Sequence, residues 1–245
     1  MAGAAAVAGA LVLGLTPTMS AAPQLAAATV YYLRGTNIGN EPTDEQYRSF
    51  IGQVLEGTET LADLPTADDK VAYNAGFWPV SRGGLHDLTW NASVAQGVQS
   101  LGDKEPDGAV IFGMSQGAVV ASQYKAEHPA GTGNTFVLVE NPARPNGGVL
   151  SRFPGLSIPI LDVTFSGATP DNGDPTIDVA RQYDGWADFP TYPLNLLATA
   201  NAILGVALVH GSTQTQLTAA DIEEAQAAGE TAASTTSSTG TRRTT

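Results

Sequence analysis

The stretch Ala109-Val-Ile-Phe-Gly-Met-Ser-Gln-Gly-Ala118 is an apolar segment that runs directly into Gly113-x-Ser115-x-Gly117. A serine on a sharp strand-to-helix turn has a strained backbone, so the residues two positions away on either side must be small. Gly113 and Gly117 meet this requirement because they lack a Cβ. The residues that follow favour a helix, which must end before Pro129. The order strand, turn, helix predicts a nucleophile elbow with Ser115 at its tip.

The rest of the chain alternates strand and helix patterns. Strands are predicted at 29–33, 71–73, 135–140, 158–165 and 176–183, and helices at 44–55 and 90–101, besides the elbow strand and the helix after it. Thr43 and Gln46 are placed to form a capping box at the first of these helices. This alternation predicts an α/β-hydrolase fold with a doubly wound, mainly parallel sheet and helices on both faces.

A serine nucleophile needs a base within hydrogen-bond reach, and the base needs a carboxylate that orients it. In α/β-hydrolases the acid and then the histidine follow the serine along the chain. Of the three histidines in the sequence, His86 precedes Ser115 and breaks this order. His128 lies about 20 Å away along the helix after the serine, at 1.5 Å per residue. His210 satisfies the order and is the predicted base.

Beyond that helix, the carboxyl groups that precede His210 are Glu140, Asp162, Asp171, Asp174, Asp178, Asp184 and Asp188. Catalytic groups in open α/β sheets lie at the carboxyl ends of strands. Asp184 follows the strand predicted to end at Tyr183 and is the first candidate for the acid. Asp188 is the alternative, although its side chain could instead pin the turn that follows. Asp162 lies within a predicted strand, which favours a structural role.

An oxyanion hole requires two N–H donors aimed at the charge that develops on the substrate. The amide of Gln116 is one donor by position, since Gln116 follows the nucleophile. The second is predicted to be the amide of Thr36, in the turn Arg34-Gly35-Thr36 after the first strand. The alternative for Thr36 is an ordinary turn residue. This chemistry needs no metal and no organic cofactor.

The composition limits the partners of the protein. A formal net charge of −13, with only 11 Lys and Arg residues, argues against nucleic acid and against electrostatic binding to anionic lipid. The sequence contains no cysteine, which excludes disulfides, thiolate metal sites and a cysteine nucleophile.

Both ends of the chain differ from its middle. Residues 4–15 form a short apolar run followed by small residues, which favours a secretory signal or apolar leader over 1–28. No Lys or Arg precedes that run, and an Ala-rich leader without an export role is the alternative. A Ser/Thr-rich composition predicts a disordered tail over 229–245. The hydrolase domain is therefore predicted at 29–228.

Residues 194–209 are almost wholly apolar but too few to span a bilayer. Two interpretations are open for this segment. It is either a buried core helix or a flap beside the serine, whose apolar face forms a pocket for an acyl chain.

Several ordered motifs resemble the PE-PPE domain of mycobacterial cell-envelope proteins, and the resemblance covers about residues 29–225. They are Tyr31-Tyr-Leu-Arg-Gly-Thr36, Gly76-Phe-Trp-Pro79, Gly113-Met-Ser-Gln-Gly-Ala118, Gln182-Tyr-Asp-Gly-Trp-Ala-Asp-Phe-Pro190 and Asn195-Leu-Leu. That domain is similar to cutinases, serine esterases with an Arg-Gly-Ser/Thr oxyanion turn and a Gly-x-Ser-Gln-Gly elbow. The chain departs from the family in its Ser/Thr tail, where members have a Tyr-rich segment. We interpret the tail as natural divergence or as the product of a frameshift.

The resemblance implies a secreted or envelope-associated serine esterase that acts on fatty acyl esters through an acyl-enzyme. Some family members resemble acyltransferases that move long acyl chains between trehalose glycolipids. The expected substrate is therefore an acyl ester or glycolipid, with a sugar hydroxyl as acceptor in the transfer reaction, and the protein would associate peripherally with the envelope. A non-catalytic lipid-binding domain with the same fold is the alternative, because fold does not imply function.

Overall fold

The computed structural model describes residues 28–39, 41–128 and 131–228. The predicted leader, apart from Ala28, and the predicted tail lie outside the described residues. The strands are β1 (Val30–Leu33), β2 (Val110–Met114), β3 (Thr135–Val139), β4 (Ser157–Ile158), β5 (Val163–Thr164) and β6 (Thr176–Val179). Four of them form a parallel sheet in the order β1-β2-β3-β6, so their carboxyl ends share one edge.

The helices are α1 (Asp44–Gly57), α2 (Trp90–Gly102), α3 (Gln116–Glu127), α4 (Val149–Arg152), α5 (Leu196–Leu208), α6 (Thr213–Gln216) and α7 (Ala219–Ala227), with single 3-10 turns at Gly84–His86 and His210–Ser212. Helices α1 and α7 cover one face of the sheet, and α2 and α3 cover the other. The predicted α/β fold, with a parallel sheet between two helical layers, is confirmed.

The core owes its stability to the central strands, which are buried on both faces. Every residue of β2 is buried, as the continuous apolar run 109–112 predicts for a parallel strand. On one face Phe112 meets Tyr47 of α1 edge-on, with ring centroids 6.4 Å apart. Complete burial of a side chain such as Phe112 contributes about 1.5–3 kcal/mol. The elbow is therefore built on the most deeply buried part of the sheet.

The start of α1 agrees with the predicted capping box. The Gln46 backbone N–H donates to the Thr43 hydroxyl at 3.2 Å, and the Thr43 N–H donates to the Gln46 side chain at 2.9 Å. Two of the N–H groups that a helix terminus leaves without intrahelical partners are thereby satisfied.

Two predicted strands are wrong. Residues 158–165 form a small antiparallel hairpin of β4 and β5 outside the main sheet, because Pro159 cannot donate a ladder hydrogen bond and Asp162 has a positive φ of 48°. Residues 71–73 form no strand. The Val71 N–H donates to the Tyr32 carbonyl at 2.9 Å, so this segment touches the edge of β1 and then leaves it.

The apolar segment 194–209 contains helix α5, and this helix is not a buried core helix. Only Ala202 and Gly205 of its thirteen residues are buried, and large side chains such as Leu196 and Leu197 are exposed. The helical run Leu196–Gln216 is long enough to cross a membrane by length and composition only, and an 18-residue stretch of it has a mean hydropathy of 1.4, with 17% of that stretch buried. Its C-terminal part contains His210 and returns the chain to the sheet edge.

Candidate active site

Ser115 lies between β2 and α3 in the strained backbone conformation that an elbow requires, with φ 54° and ψ −120°. Its N–H donates to the Val139 carbonyl at 2.9 Å, which fixes the turn to the neighbouring strand. A Cβ added to Gly117 would lie 2.6 Å from the carbonyl oxygen of Leu33, and one added to Gly113 would lie 2.5 Å from that of Gly117. Both elbow positions therefore exclude any side chain.

The structure brings Ser115, His210 and Asp184 into one hydrogen-bonded chain. The His210 Nε2 lies 2.7 Å from the Ser115 Oγ, and its Nδ1 lies 2.6 Å from the Asp184 Oδ2. The carboxylate accepts a hydrogen bond only from a protonated Nδ1, so Nε2 is left to accept the serine proton. His210 reaches this position from the 3-10 turn directly after α5.

Asp184 is fully buried, and its Oδ1 accepts the N–H groups of Trp186 at 2.7 Å and Ala187 at 3.2 Å. Burial alone would raise the pKa of Asp184. The hydrogen bond and charge of His210, together with the hydrogen bond from Glu140, outweigh burial and hold this pKa below its usual value. The acid beside His210 is therefore ionised at neutral pH.

Asp184 reaches the site from a turn rather than directly from the end of a strand. Strand β6 ends at Val179, four residues before the predicted end, and the turn that follows brings Asp184 to the site.

The other candidates for the acid and the base lie elsewhere. Asp188 accepts the N–H of Tyr183 at 2.8 Å and so pins the turn that precedes it, not the following turn that its alternative interpretation named. Asp162 accepts the Thr89 hydroxyl at 2.6 Å. The His128 ring stacks on Tyr124, far along α3 from the serine.

The turn Arg34-Gly35-Thr36 packs directly against the serine. A Cβ on Gly35 would lie 3.0 Å from the Ser115 Cβ, and Thr36 lines the same cavity as Ser115. The Arg34 guanidinium pairs with Asp44 at 3.2 Å. On the opposite side, Gln116 is the first residue of α3, so its N–H has no intrahelical partner. Thr36 and Gln116 thus both lie beside Ser115, and their role as oxyanion donors stays a prediction.

The side chain of Gln116 has a structural task that the sequence did not reveal. Its Nε2 donates to the Gly76 carbonyl at 2.7 Å, and its Oε1 accepts the Ser93 hydroxyl at 3.1 Å. The Gly76 N–H in turn donates to Ser93 at 2.9 Å. This buried network ties the elbow to α2 and to the loop before it.

A cavity of about 470 Å³ opens over the serine. Its lining is largely apolar and comes from several elements: Ile38, Phe77, Val80, Trp90, Trp186, Val206 and Ala207. The last two belong to α5, so the exposed helix forms one wall. The Trp90 and Trp186 rings stack with centroids 6.2 Å apart and form another. A wider depression of about 720 Å³ lies beyond β6, lined by Arg144, Arg181 and Asp221, and does not reach Ser115.

Glu140 is the other carboxyl group at this edge, and it was predicted only as one of several acids. It is fully buried directly after β3, where its Oε1 accepts the Thr213 hydroxyl at 2.8 Å and the Arg181 N–H at 3.2 Å. Donor atoms of Glu140, Asp184 and His210 lie within 4.8 Å of one another, a spacing that metal sites share. Both nitrogens of His210 are already hydrogen-bonded, however, so neither has a free lone pair for a cation.

A parallel sheet whose strand enters a strained serine elbow, with an acid and a histidine that follow it along the chain, defines the class of α/β-hydrolases. Residues 65–244 match the PE-PPE domain family. The chain therefore belongs to the PE-PPE domain family.

Similar proteins include two from Mycobacterium tuberculosis. Esterase PE16 is 45% identical over 141 residues, which cover 52% of this chain and 27% of PE16. Diacyltrehalose acyltransferase Chp2 is 32% identical over 167 residues, which cover 58% of this chain and 46% of Chp2. A solved cutinase-like protein from Cryptococcus sp. is 17% identical, with a TM-score of 0.39 over 77% of this chain and 94% of that protein. The chain thus spans less than half the length of either mycobacterial relative.

Proposed function

We propose that this chain is a serine esterase that forms an acyl-enzyme on Ser115 from fatty acyl esters, with Asp184 and His210 as the rest of its triad. The hydrogen-bonded chain at 2.6 and 2.7 Å, ending on a serine in a strained elbow, is the observation that carries the proposal. The name of the relative PE16, an esterase, supports the same reaction class.

The mechanism follows from this geometry. His210 Nε2 takes the Ser115 proton as the serine oxygen bonds to the ester carbon, and the carbonyl oxygen becomes an oxyanion held by the N–H groups of Gln116 and Thr36. Collapse breaks the bond to the alcohol, which leaves with the proton from His210. Water then gives a proton to His210 as its oxygen bonds to the acyl carbon, and collapse breaks the bond to the Ser115 oxygen, which takes that proton back from His210 and releases a carboxylic acid.

The apolar cavity is proposed as the site for the acyl chain. Apolar pockets with few polar groups are typical of sites that bind such ligands. Val206 and Ala207 would then contact the chain, which gives α5 the role of the flap considered for this segment. A long chain would extend beyond a cavity of about 470 Å³ along the exposed face of α5.

Transfer of the acyl group to a sugar hydroxyl is the second candidate reaction. It uses the same acyl-enzyme and differs only in the acceptor, and the relative Chp2 is named a diacyltrehalose acyltransferase. Incubation of the protein with an acyl donor and increasing trehalose, with products weighed by mass spectrometry, separates the two. Acylated trehalose supports transfer, whereas free acid alone at every trehalose concentration rejects it.

We further propose that the protein works in the cell envelope after export. The apolar run at 4–15 and membership of the PE-PPE family support this location. Fractionation of cells that express the full chain, with detection in envelope and cytosolic fractions, tests it. Recovery in the cytosol alone rejects the proposal.

Fluorophosphonate labelling of the purified chain, with the adduct located by mass spectrometry, tests the triad. We expect one adduct on Ser115, none in Ser115→Ala, and labelling reduced by about 10⁴-fold in Asp184→Asn, which leaves His210 in the wrong tautomer. His128→Ala is the matched control and should label normally. A folded protein that binds lipid but takes no adduct would instead support the non-catalytic lipid-binding domain.

A further inference from the structure

Glu140 is a buried carboxyl group that the proposed mechanism leaves unused. We propose that it is a positioning residue, a neutral acid whose proton forms a hydrogen bond to the Asp184 carboxylate and thereby sets the basicity of His210. This inference rests on the proposed function, because it assigns the group that controls the base of the same triad.

The sheet topology places the two acids together. Glu140 directly follows β3, and Asp184 lies in the turn after β6, the parallel neighbour of β3 in which Val179 pairs with Val139. The Glu140 N–H donates to the Val179 carbonyl at 2.8 Å, so its position relative to β6 is fixed by the ladder. The two carboxyl groups thus meet at one edge, with ligand oxygens within 4.8 Å of each other.

Two carboxylates in contact inside a protein cannot both be ionised at low cost, so one proton is shared between them. Burial, the charge of Asp184 and the hydrogen bond to Asp184 raise the pKa of Glu140 well above its usual value. The hydrogen bond from Glu140 is among the effects that lower the pKa of Asp184. The proton therefore belongs to Glu140, and the charge to Asp184.

The remaining surroundings of Glu140 agree with a neutral acid. The charged or titratable groups facing it are Asp184, His210 and Arg181. Arg181 offers Glu140 its backbone N–H, whereas its guanidinium donates to the Ser212 hydroxyl at 2.9 Å. Thr213 contributes a neutral hydroxyl. Among the described residues, then, no cation reaches the Glu140 carboxyl to hold it ionised.

The location of this proton has a consequence for the base. A neutral Glu140 leaves one negative charge beside His210, whereas an ionised Glu140 would add a second and favour the protonated ring. Protonated His210 cannot accept the Ser115 proton. Glu140 therefore keeps the base free at neutral pH, and its hydrogen bond moderates the remaining charge of Asp184.

Three variants of the full chain test this. Glu140→Gln keeps a neutral donor of the same shape, and Glu140→Met keeps the volume but removes the donor. Asp178→Asn is the matched control, because Asp178 is also buried in this sheet and has a raised pKa, but it bonds to Asn141. The measurements are the pH profile of fluorophosphonate labelling and the NMR titration of the His210 ring.

We expect Glu140→Gln and Asp178→Asn to label within about 3-fold of the wild type at pH 7. Glu140→Met should label about 10- to 100-fold more slowly, the loss of one hydrogen bond to a charged group. The acid limb of its profile and its His210 titration should move to higher pH, since Asp184 is then a stronger acceptor. A structural role for Glu140 would slow labelling without moving either midpoint.

Two results overturn the inference. One is an unchanged His210 titration in folded Glu140→Met. The other concerns the infrared spectrum at pH 7. If Glu140 carries a proton, the wild type shows a protonated-carboxyl band that disappears in Glu140→Gln; identical spectra for the two proteins in this region would overturn the inference. Neither measurement needs turnover. A wild-type chain that takes no fluorophosphonate therefore defeats the proposed function, while the NMR and infrared results still decide the role of Glu140.

Discussion

Helices α3 and α5 hold the two halves of the serine–histidine pair, and they differ in how they are supported. Helix α3 begins after Ser115, includes several polar residues, and buries nine of its twelve residues between the sheet and α2. Helix α5 ends before His210, contains no charged residue, and buries two of its thirteen. Burial in this fold thus follows the place of a helix in the layers rather than its composition.

Ser115 and His210, the proposed nucleophile and base, also differ in how they are held. Ser115 is fixed by strands β2 and β3 and by backbone that contacts both elbow glycines. His210 is held by its own hydrogen bonds and by the close packing of Gly205 against Tyr183 and Gly185. The serine is therefore part of the folded core, whereas the histidine sits at the end of a peripheral helix.

Gly117→Ala, in the buried elbow, should cause the largest loss of folding stability. Its Cβ would lie 2.6 and 2.7 Å from the carbonyl oxygens of Leu33 and Arg34, which are backbone atoms that cannot move alone. We expect the free energy of unfolding to fall by about 3 kcal/mol or more. Chemical denaturation followed by circular dichroism measures it.

Gly102→Ala is the control for that experiment. Its Cβ would come no closer than 3.9 Å to Tyr124, so its unfolding free energy should change by less than about 1 kcal/mol. Equal stabilities for Gly117→Ala and the wild type would contradict the tight elbow.

The next largest loss of stability is expected for a buried leucine of α2, compared with an exposed leucine of α5. Leu101 of α2 is 0% exposed, and Leu197 of α5 is 83% exposed. Leu101→Ala should lower the unfolding free energy by about 2–5 kcal/mol, and Leu197→Ala should change it by less than about 0.5 kcal/mol. Comparable losses for the two variants, measured in urea, would mean that α5 is buried in solution.

Gly205→Ala should separate activity from stability. Its Cβ would overlap the Tyr183 carbonyl oxygen, so α5 must shift and carry His210 away from Ser115. A displacement of about 1 Å costs about 100-fold in rate. We expect labelling of Ser115 to fall by that factor while the unfolding free energy changes by less than about 1 kcal/mol.

Asn201→Ala, an exposed change in the same helix, serves as the control and should keep both values. Gly205→Ala with unchanged labelling would show that α5 does not position the histidine.

The last prediction concerns the pH dependence of stability. Because the pKa of Glu140 is raised in the folded protein, the folded state keeps a proton that the unfolded chain loses above about pH 4.3. Stability should therefore fall as pH rises above that value, by at most about 1.4 kcal/mol per pH unit. The lowered pKa of Asp184 affects stability in a different pH range. Its stabilising contribution is present at neutral pH and is lost only as the pH falls toward and below the pKa of an unfolded Asp, about 3.9.

Denaturation at several pH values between 5 and 8 isolates the Glu140 contribution. Glu140→Gln should show a flatter dependence than the wild type, and Asn201→Ala on the peripheral helix should keep the wild-type slope. Parallel curves for Glu140→Gln and the wild type would reject a protonated Glu140.

The elbow could be predicted from sequence because its requirement is local. The strand, the two glycines and the helix lie within one continuous stretch around Ser115. The placement of His210 beside Ser115 could be predicted because chain order rejects the other two histidines, and that of Asp184 because it comes shortly after a strand. These arguments need only the direction of the chain and the edge where parallel strands end.

Other features depended on contacts that no local pattern contains. The apolar residues of 158–165 suggested a strand, although Pro159 and the turn at Asp162 divide it. The apolar composition of α5 gave no indication of which side it would bury. Glu140 was visible as an acid at a strand end, but its pairing with Asp184 requires the knowledge that β3 and β6 are neighbours.

The spread of the triad along the chain also bears on the timing of folding. Ser115 and His210 are 95 residues apart, and contacts of such separation form slowly because a long loop must close first. During synthesis the elbow emerges well before His210. A nascent chain therefore presents Ser115 without His210, and the reactivity toward esters proposed above would begin only when the last helices dock.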